Sequence, residues 1–145
     1  MKKNLPVTQV EQRYAADANI LSTTNLKGAV TYVNDDFVAI SGFERPELIG
    51  RNHNVVRHPD MPPAAFADLW ATIKSGKSWM GIVKNRCKNG DHYWVDAFVT
   101  PISRDGEIAE FQSVRRQPHP EHVRRAEKLY PRLMAGTANR LLARV

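Results

Sequence analysis

The residues best suited to chemistry fall in one stretch, His53-Asn54-Val55-Val56-Arg57-His58-Pro59-Asp60-Met61-Pro62-Pro63. An arginine meets a phosphate or carboxylate through two parallel hydrogen bonds, so Arg57 is a candidate for the polar end of a ligand. Asp60 either orients His58 or Arg57, or caps the turn that follows. No glycine-rich phosphate loop accompanies the stretch, which excludes nucleotide binding through a GxGxxG or Walker motif. His53/His58 and His119/His122 are the close histidine pairs. With Cys87 and His92 they form neither HExxH nor CxxC, so no metal is expected. A nucleophile elbow is missing too, and no defensible order of Ser, His and Asp supports a hydrolase. The reading is therefore a binding domain and not an enzyme.

A second group of candidates comes from strand parity. If residues 79–87 are extended, Trp79, Gly81, Val83 and Asn85 share one face, and Met80, Ile82, Lys84 and Arg86 the other. A glycine between Trp79 and Val83 leaves room for a flat ligand, to which Asn85 presents an amide. The alternative is that Gly81 marks a bulge and Trp79 is core. Asn34, with the parity of Tyr32, is either a pocket group or the cap of the next helix. Along residues 92–103, Tyr93, Val95, Ala97 and Val99 form one face and His92, Trp94, Asp96 and Phe98 the other. Both faces carry large groups, so a C-terminal helix or a dimer partner must cover one.

The elements that position these groups follow from periodicity and turn chemistry. Ile20–Thr24 and Val30-Thr31-Tyr32-Val33-Asn34 read as strands around an Asn25-Leu26-Lys27-Gly28 turn. Short helices follow, over residues 37–40 with a Gly42 stop and over 46–49 with Gly50. Phe66, Leu69, Trp70 and Ile73 recur at helical spacing, and Gly76 closes that helix. Asn89-Gly90 joins two further strands as a hairpin, and Arg104-Asp105-Gly106-Glu107 turns into a last one over residues 108–115. Pro101 is expected to bend its strand or sit at an edge. Tight turns make neighbouring strands antiparallel. The expected fold is α+β: a five-stranded antiparallel sheet, short helices on one face, and a C-terminal helix after Pro118. Pro131 should kink or interrupt that helix. Residues 11–18 carry some helical character.

The 145 residues suit one domain, with 42% hydrophobic and 25% charged residues, ordinary for a globular chain. No apolar stretch is long enough to span a bilayer, and no hydrophobic run follows Met1 to make a signal peptide. A single cysteine excludes an internal disulfide and points to a reducing compartment, the cytoplasm by default. The net charge of +6 resides in residues 113–145, with 8 Lys/Arg against 2 Asp/Glu. That tail is either a contact surface or a solvated helix face, and the neutral body argues against a nucleic-acid partner. Three parts are expected: a lead (1–18), a main body (19–117), and a C-terminal helix with the start of a connector (118–145).

Tyr32-Val33-Asn34-Asp35-Asp36-Phe37, Ser41-Gly42-Phe43, Asn54 through Pro62 with Ala64-Ala65-Phe66, Trp79 through Arg86, and Lys88 through Val95 together carry a resemblance. They resemble the FAD-binding N-terminal PAS domains of bacterial aerotaxis receptors, from about Thr8 to Arg115. The resemblance implies a PAS fold holding FAD noncovalently between sheet and helices. It implies a redox or oxygen sensor that relays flavin state to downstream signalling domains of the same receptor, and from there to the chemotaxis kinase. By position it makes Asn85 the residue at the isoalloxazine edge and Trp79 a flavin wall. Arg57, His58 and Asp60 become the FAD loop, with Asn34, His53, Phe66, Tyr93 and Arg115 completing the pocket. Residues 51–63 hold no cysteine, so photoadduct chemistry is not expected. A homodimer is compatible, and membrane association would come only through parts of the parent receptor outside this chain. The rival readings are a PAS sensor for haem, with His53 or His58 as axial ligand, or for a small organic molecule, and a cofactor-free dimerisation module.

Overall fold

The computed structural model describes residues 4–135. Five strands form one antiparallel sheet in the order β2-β1-β5-β4-β3. They are β1 (Ile20–Thr24), β2 (Val30–Val33), β3 (Trp79–Arg86), β4 (His92–Arg104) and β5 (Glu107–Arg116). Between β2 and β3 lie α1 (Asp35–Ser41), α2 (Arg45–Leu48), a 3-10 turn (His53–Val56) and α3 (Pro63–Lys74), and α4 (Pro120–Met134) follows β5. The expected order of hairpin, short helices, long helix and meander is the observed one. The segment rich in His, Arg and Pro forms only a single turn, since its prolines forbid more.

The core lies between the sheet and the helices, around Ile20, Val33, Phe37, Leu48, Val56, Ile73, Tyr93 and Val95. Caps explain the short helices. Asn34 accepts the backbone N–H of Phe37 at 3.1 Å, and Gly42, at a φ of 77°, ends α1 in the left-handed region. Pro101 does not end β4. It lies past the last β3 pair, Trp79↔Val99, where no neighbour on that side asks for its missing N–H.

Helix α4 covers part of the sheet's outer face, as its apolar stripe requires. Its Ala126 and Leu133 are buried, Tyr130 stacks on Trp94 with centroids 6.5 Å apart, and the Tyr130 hydroxyl donates to the Ile82 carbonyl. The helix runs unbroken through Pro131, which sits in its last turn, against the expected interruption. Phe98 and Met80, on the same face, remain exposed. The expected connector lies outside the described residues.

The lead differs from its reading. Residues 11–18 form no helix, because the segment satisfies its backbone by pairing beyond the end of β5. His92 N–H donates to Val10 O at 2.9 Å, and Gln12 N–H to His92 O at 2.7 Å. The Tyr14 hydroxyl donates to Trp94 O at 2.5 Å, and the Asn4 amide reaches the carbonyls of Asn54, Val55 and Arg57. The lead thus straps the 3-10 turn to the β3–β4 hairpin.

Candidate functional site

A cavity of ≈ 680 Å³ opens between the sheet and the segment from the 3-10 turn through α3. That is the size of a cofactor site. Its floor is laid by residues of one parity: Val83 and Asn85 on β3, Ala97 and Val99 on β4, Phe111, Ser113 and Arg115 on β5. Ala97 stands directly opposite Arg115 in the register, and its small side chain leaves the floor open beside the guanidinium. Phe66, Leu69, Trp70 and Ile73 on α3 form the opposing wall.

The buried polar groups converge on Arg115, which is 3% exposed. It donates from NH2 to Ser22 Oγ at 2.7 Å and from NH1 to Ser113 Oγ at 2.6 Å. NH1 also lies 3.3 Å from His53 Nε2, and the guanidinium sits 4.9 Å over the Phe37 ring. Nε is buried without a partner. No carboxylate lines the cavity, yet Arg57, Lys27 and Lys74 line it together with Arg115. Burial pushes Arg115 down to about 10. Burial and then the Arg115 charge push His53 down to about 3, so the imidazole is neutral and its Nε2 accepts a hydrogen bond from the guanidinium.

Five of the ten expected residues meet here: His53, Arg57, Phe66, Asn85 and Arg115. The other five do not line the cavity, each for a local reason. Asn34 resolves to the cap: its Oδ1 takes the N–H groups of Phe37 and Leu21, and its Nδ2 donates to Asn19 O. Trp79 fills the space expected above Gly81, where an added Cβ would lie 2.3 Å from the indole. Its Nε1 donates to Asp68 at 2.8 Å, tying β3 to α3. Tyr93 has the cavity parity but is wholly buried in the core, edge-on to Tyr14 at 6.4 Å.

His58 and Asp60 lie across the edge of the sheet. β3 is the edge strand, and an antiparallel bridge pairs Arg57 with Asn85 along it. Past Arg57 the chain turns around that edge towards Lys84 and His92, whose parity is opposite to that of the cavity. Asp60 pairs with Lys84 at 2.8 Å, and the buried His58 ring lies edge-on to His92 at 5.9 Å. His58 Nδ1 accepts the N–H of Asp60 at 3.0 Å, and burial pushes the ring down to about 4. Neither histidine offered as a haem ligand is well placed: Nε2 of His53 is engaged by Ser22 and Arg115, and His58 is outside the cavity. Among the described residues no cluster of three or more His, Cys, Asp or Glu suits a metal ion.

Sequence reasoning missed Ser22, Ser113, Lys27, Trp70 and Lys74. The serines were findable, because Ser113 shares the parity of Arg115 and pairs with Ser22. Trp70 fits the core stripe of α3 equally well, which hid it.

Residues 30–115 match the family model described as the PAS fold. The chain belongs to the PAS family. It is 49% identical to the aerotaxis receptor of Escherichia coli (strain K12) over 92% of its own length, and spans 26% of that receptor. It is 26% identical to the nitrogen fixation regulatory protein of Klebsiella pneumoniae over 75% of its length, spanning 21% of that protein. The dark structure of the blue-light photoreceptor Aureochrome1 LOV superposes with a TM-score of 0.68 at 18% identity, covering 75% of this chain and 82% of that one. A light-oxygen-voltage domain studied with a flavin analogue gives 0.68 at 17% identity, covering 76% and 84%. The chain is thus a PAS sensor domain similar to those of signalling receptors. No helix among the described residues is long and apolar enough to cross a membrane.

Proposed function

We propose that this PAS domain holds FAD noncovalently in the cavity and passes its redox state to the signalling part of a longer receptor, with a chemotaxis module as the output. The observation that carries the reading is Arg115, a buried cation facing a cavity without a carboxylate. An uncompensated buried charge costs several kcal/mol, so such a site favours an electron-rich or anionic ligand. The orphaned Nε of Arg115 has a hydrogen bond to give. Similarity to an aerotaxis receptor supports the same reading.

When bound, the flavin supplies reversible electron transfer, with charge and proton changes at its ring nitrogens. The protein's own groups suit such a ring. Asn85 presents an amide that donates and accepts, so it changes partner without changing charge. Arg115 holds a fixed positive charge at the floor, kept in place by Ser22, Ser113 and the neutral His53. Val83, Ala97 and Leu69 supply apolar walls that exclude water.

One absorption spectrum of freshly purified protein, with extraction and identification of the chromophore, tests the reading. A flavin spectrum and released FAD are expected. A haem Soret band, or protein that stays colourless after incubation with FAD, overturns it.

A further inference from the structure

The positive charge of the chain gathers on one side of α4. Ala126, Leu133 and Tyr130 fix the helix to the sheet. The helical step of about 100° per residue then sends Arg124, Arg125, Lys128 and Arg132 to the side turned away from it. All four are exposed. The two carboxylates of the helix do not neutralise this row. Glu121 pairs with Arg124 at 3.3 Å near the helix start, and Glu127 stands nearly opposite Arg125 around the axis. Arg125 and Lys128 form no ion pair with a carboxylate among the described residues. Residues 1–112 do not balance the row either, since they carry 13 Lys/Arg against 13 Asp/Glu.

Shape and composition decide what the row suits. The side of a helix is convex, so it cannot enclose one small anion. Arg125 and Arg132 are seven residues apart, about 10 Å along the axis, and an extended anionic surface meets the whole row. A protein interface is centred on apolar or aromatic anchors, and lysine is depleted there. This side of α4 offers no such anchor, because Ala126, Tyr130 and Leu133 face the sheet. The neutral body does not suit a nucleic acid. A bilayer surface of anionic headgroups needs only charge, and each cation near it strengthens binding about fivefold. From this row we infer that α4 docks the domain reversibly on an anionic membrane surface through Arg124, Arg125, Lys128 and Arg132. The contact belongs to this chain itself, beyond the association expected only through other parts of a parent receptor. It does not rest on the flavin reading.

The test is co-sedimentation of the full chain with vesicles of phosphatidylcholine alone and of phosphatidylcholine with about 30% phosphatidylserine. The wild type should bind the anionic vesicles at about 0.05 M salt, release them at about 0.5 M, and ignore the neutral ones. Arg125→Gln/Lys128→Gln, which keeps good helix formers, should weaken binding about twentyfold. Arg13→Gln/Lys77→Gln removes the same charge from exposed positions elsewhere and should stay within about twofold of wild type. Wild type that binds neither vesicle, or both alike, overturns the inference. Equal losses in the two double variants overturn it too, since net charge and not this row would then be responsible. Binding to poly-glutamate in place of the anionic vesicles assigns the row to an acidic protein and likewise overturns it.

Discussion

Arg115 NH1 lies 3.3 Å from Nε2 of His53 at the cavity floor, and neither side chain forms an ion pair with a carboxylate among the described residues. The pair is a cation and a neutral base without a counter-charge beside them. Arg115→Met therefore has opposite effects on two measurements. Removing a desolvated charge leaves the flavin-free protein at least as stable as wild type, by urea midpoint. Flavin affinity falls about tenfold or more. A flavin-free variant destabilised by more than about 1 kcal/mol would contradict this, since Arg115 would then be a structural group.

His53 gives the same floor a dependence on pH. In the unfolded chain its imidazole titrates near 6.5, whereas folding pushes it down to about 3 through burial first and Arg115 second. Between those values the unfolded chain binds a proton that the folded one refuses. Stability is full above pH 6.5 and falls on acidification toward pH 3, by about 1.4 kcal/mol per pH unit for one such group. His58 and His92 are also lowered, both mainly by burial, and steepen the same slope. Urea midpoints at about pH 7 and about pH 5 should converge in His53→Gln relative to wild type. An unchanged difference between the two pH values would remove His53 as the cause.

Gly81 was read as room for a ligand and proves to be room for Trp79. Gly81→Ala puts a methyl 2.3 Å from the indole, which is pinned by Asp68 and cannot swing clear cheaply. Overpacking of this kind costs about 1–3 kcal/mol. In a Trp79→Leu background the same substitution should cost far less, because the clash is gone. Additive losses in the double variant would show that the glycine serves its backbone and not the indole.

Much of this was legible because the information is local. Alternation along β3, β4 and β5 fixes which side chains share a face, and that alone assigns Val83, Asn85 and Ala97 to one floor. The α3 stripe and the glycine stops are local in the same way. What could not be read depends on partners distant in sequence. Nothing near His58 says that Arg57 bridges to Asn85 and sends the chain around the sheet edge. Asn34 and Trp79 each had two readings, and a tertiary contact decides both: the entry of α1 against β1, and the carboxylate of Asp68. The lead follows Gly90 and His92, some eighty residues away, over its own weak helical preference.

The sheet edge also separates two ways in which substitutions would weaken the proposed flavin binding. Arg57 reaches the cavity mouth and stacks on Phe66, so Arg57→Ala should weaken flavin binding by more than its loss of flavin-free stability accounts for. His58 is wholly buried on the far side of β3, so His58→Ala opens a cavity there and costs about 1–3 kcal/mol. Its flavin affinity should fall in step with that stability, because the loop carrying Arg57 loses its anchor. Asn4→Ala should resemble His58→Ala in weaker form: its amide serves the carbonyls of Asn54, Val55 and Arg57, and its loss costs about 1 kcal/mol and speeds flavin release. The decisive comparison is melting temperature against flavin affinity across the three variants. If His58→Ala loses flavin at an unchanged melting temperature, its imidazole touches the ligand and the loop must close differently around it.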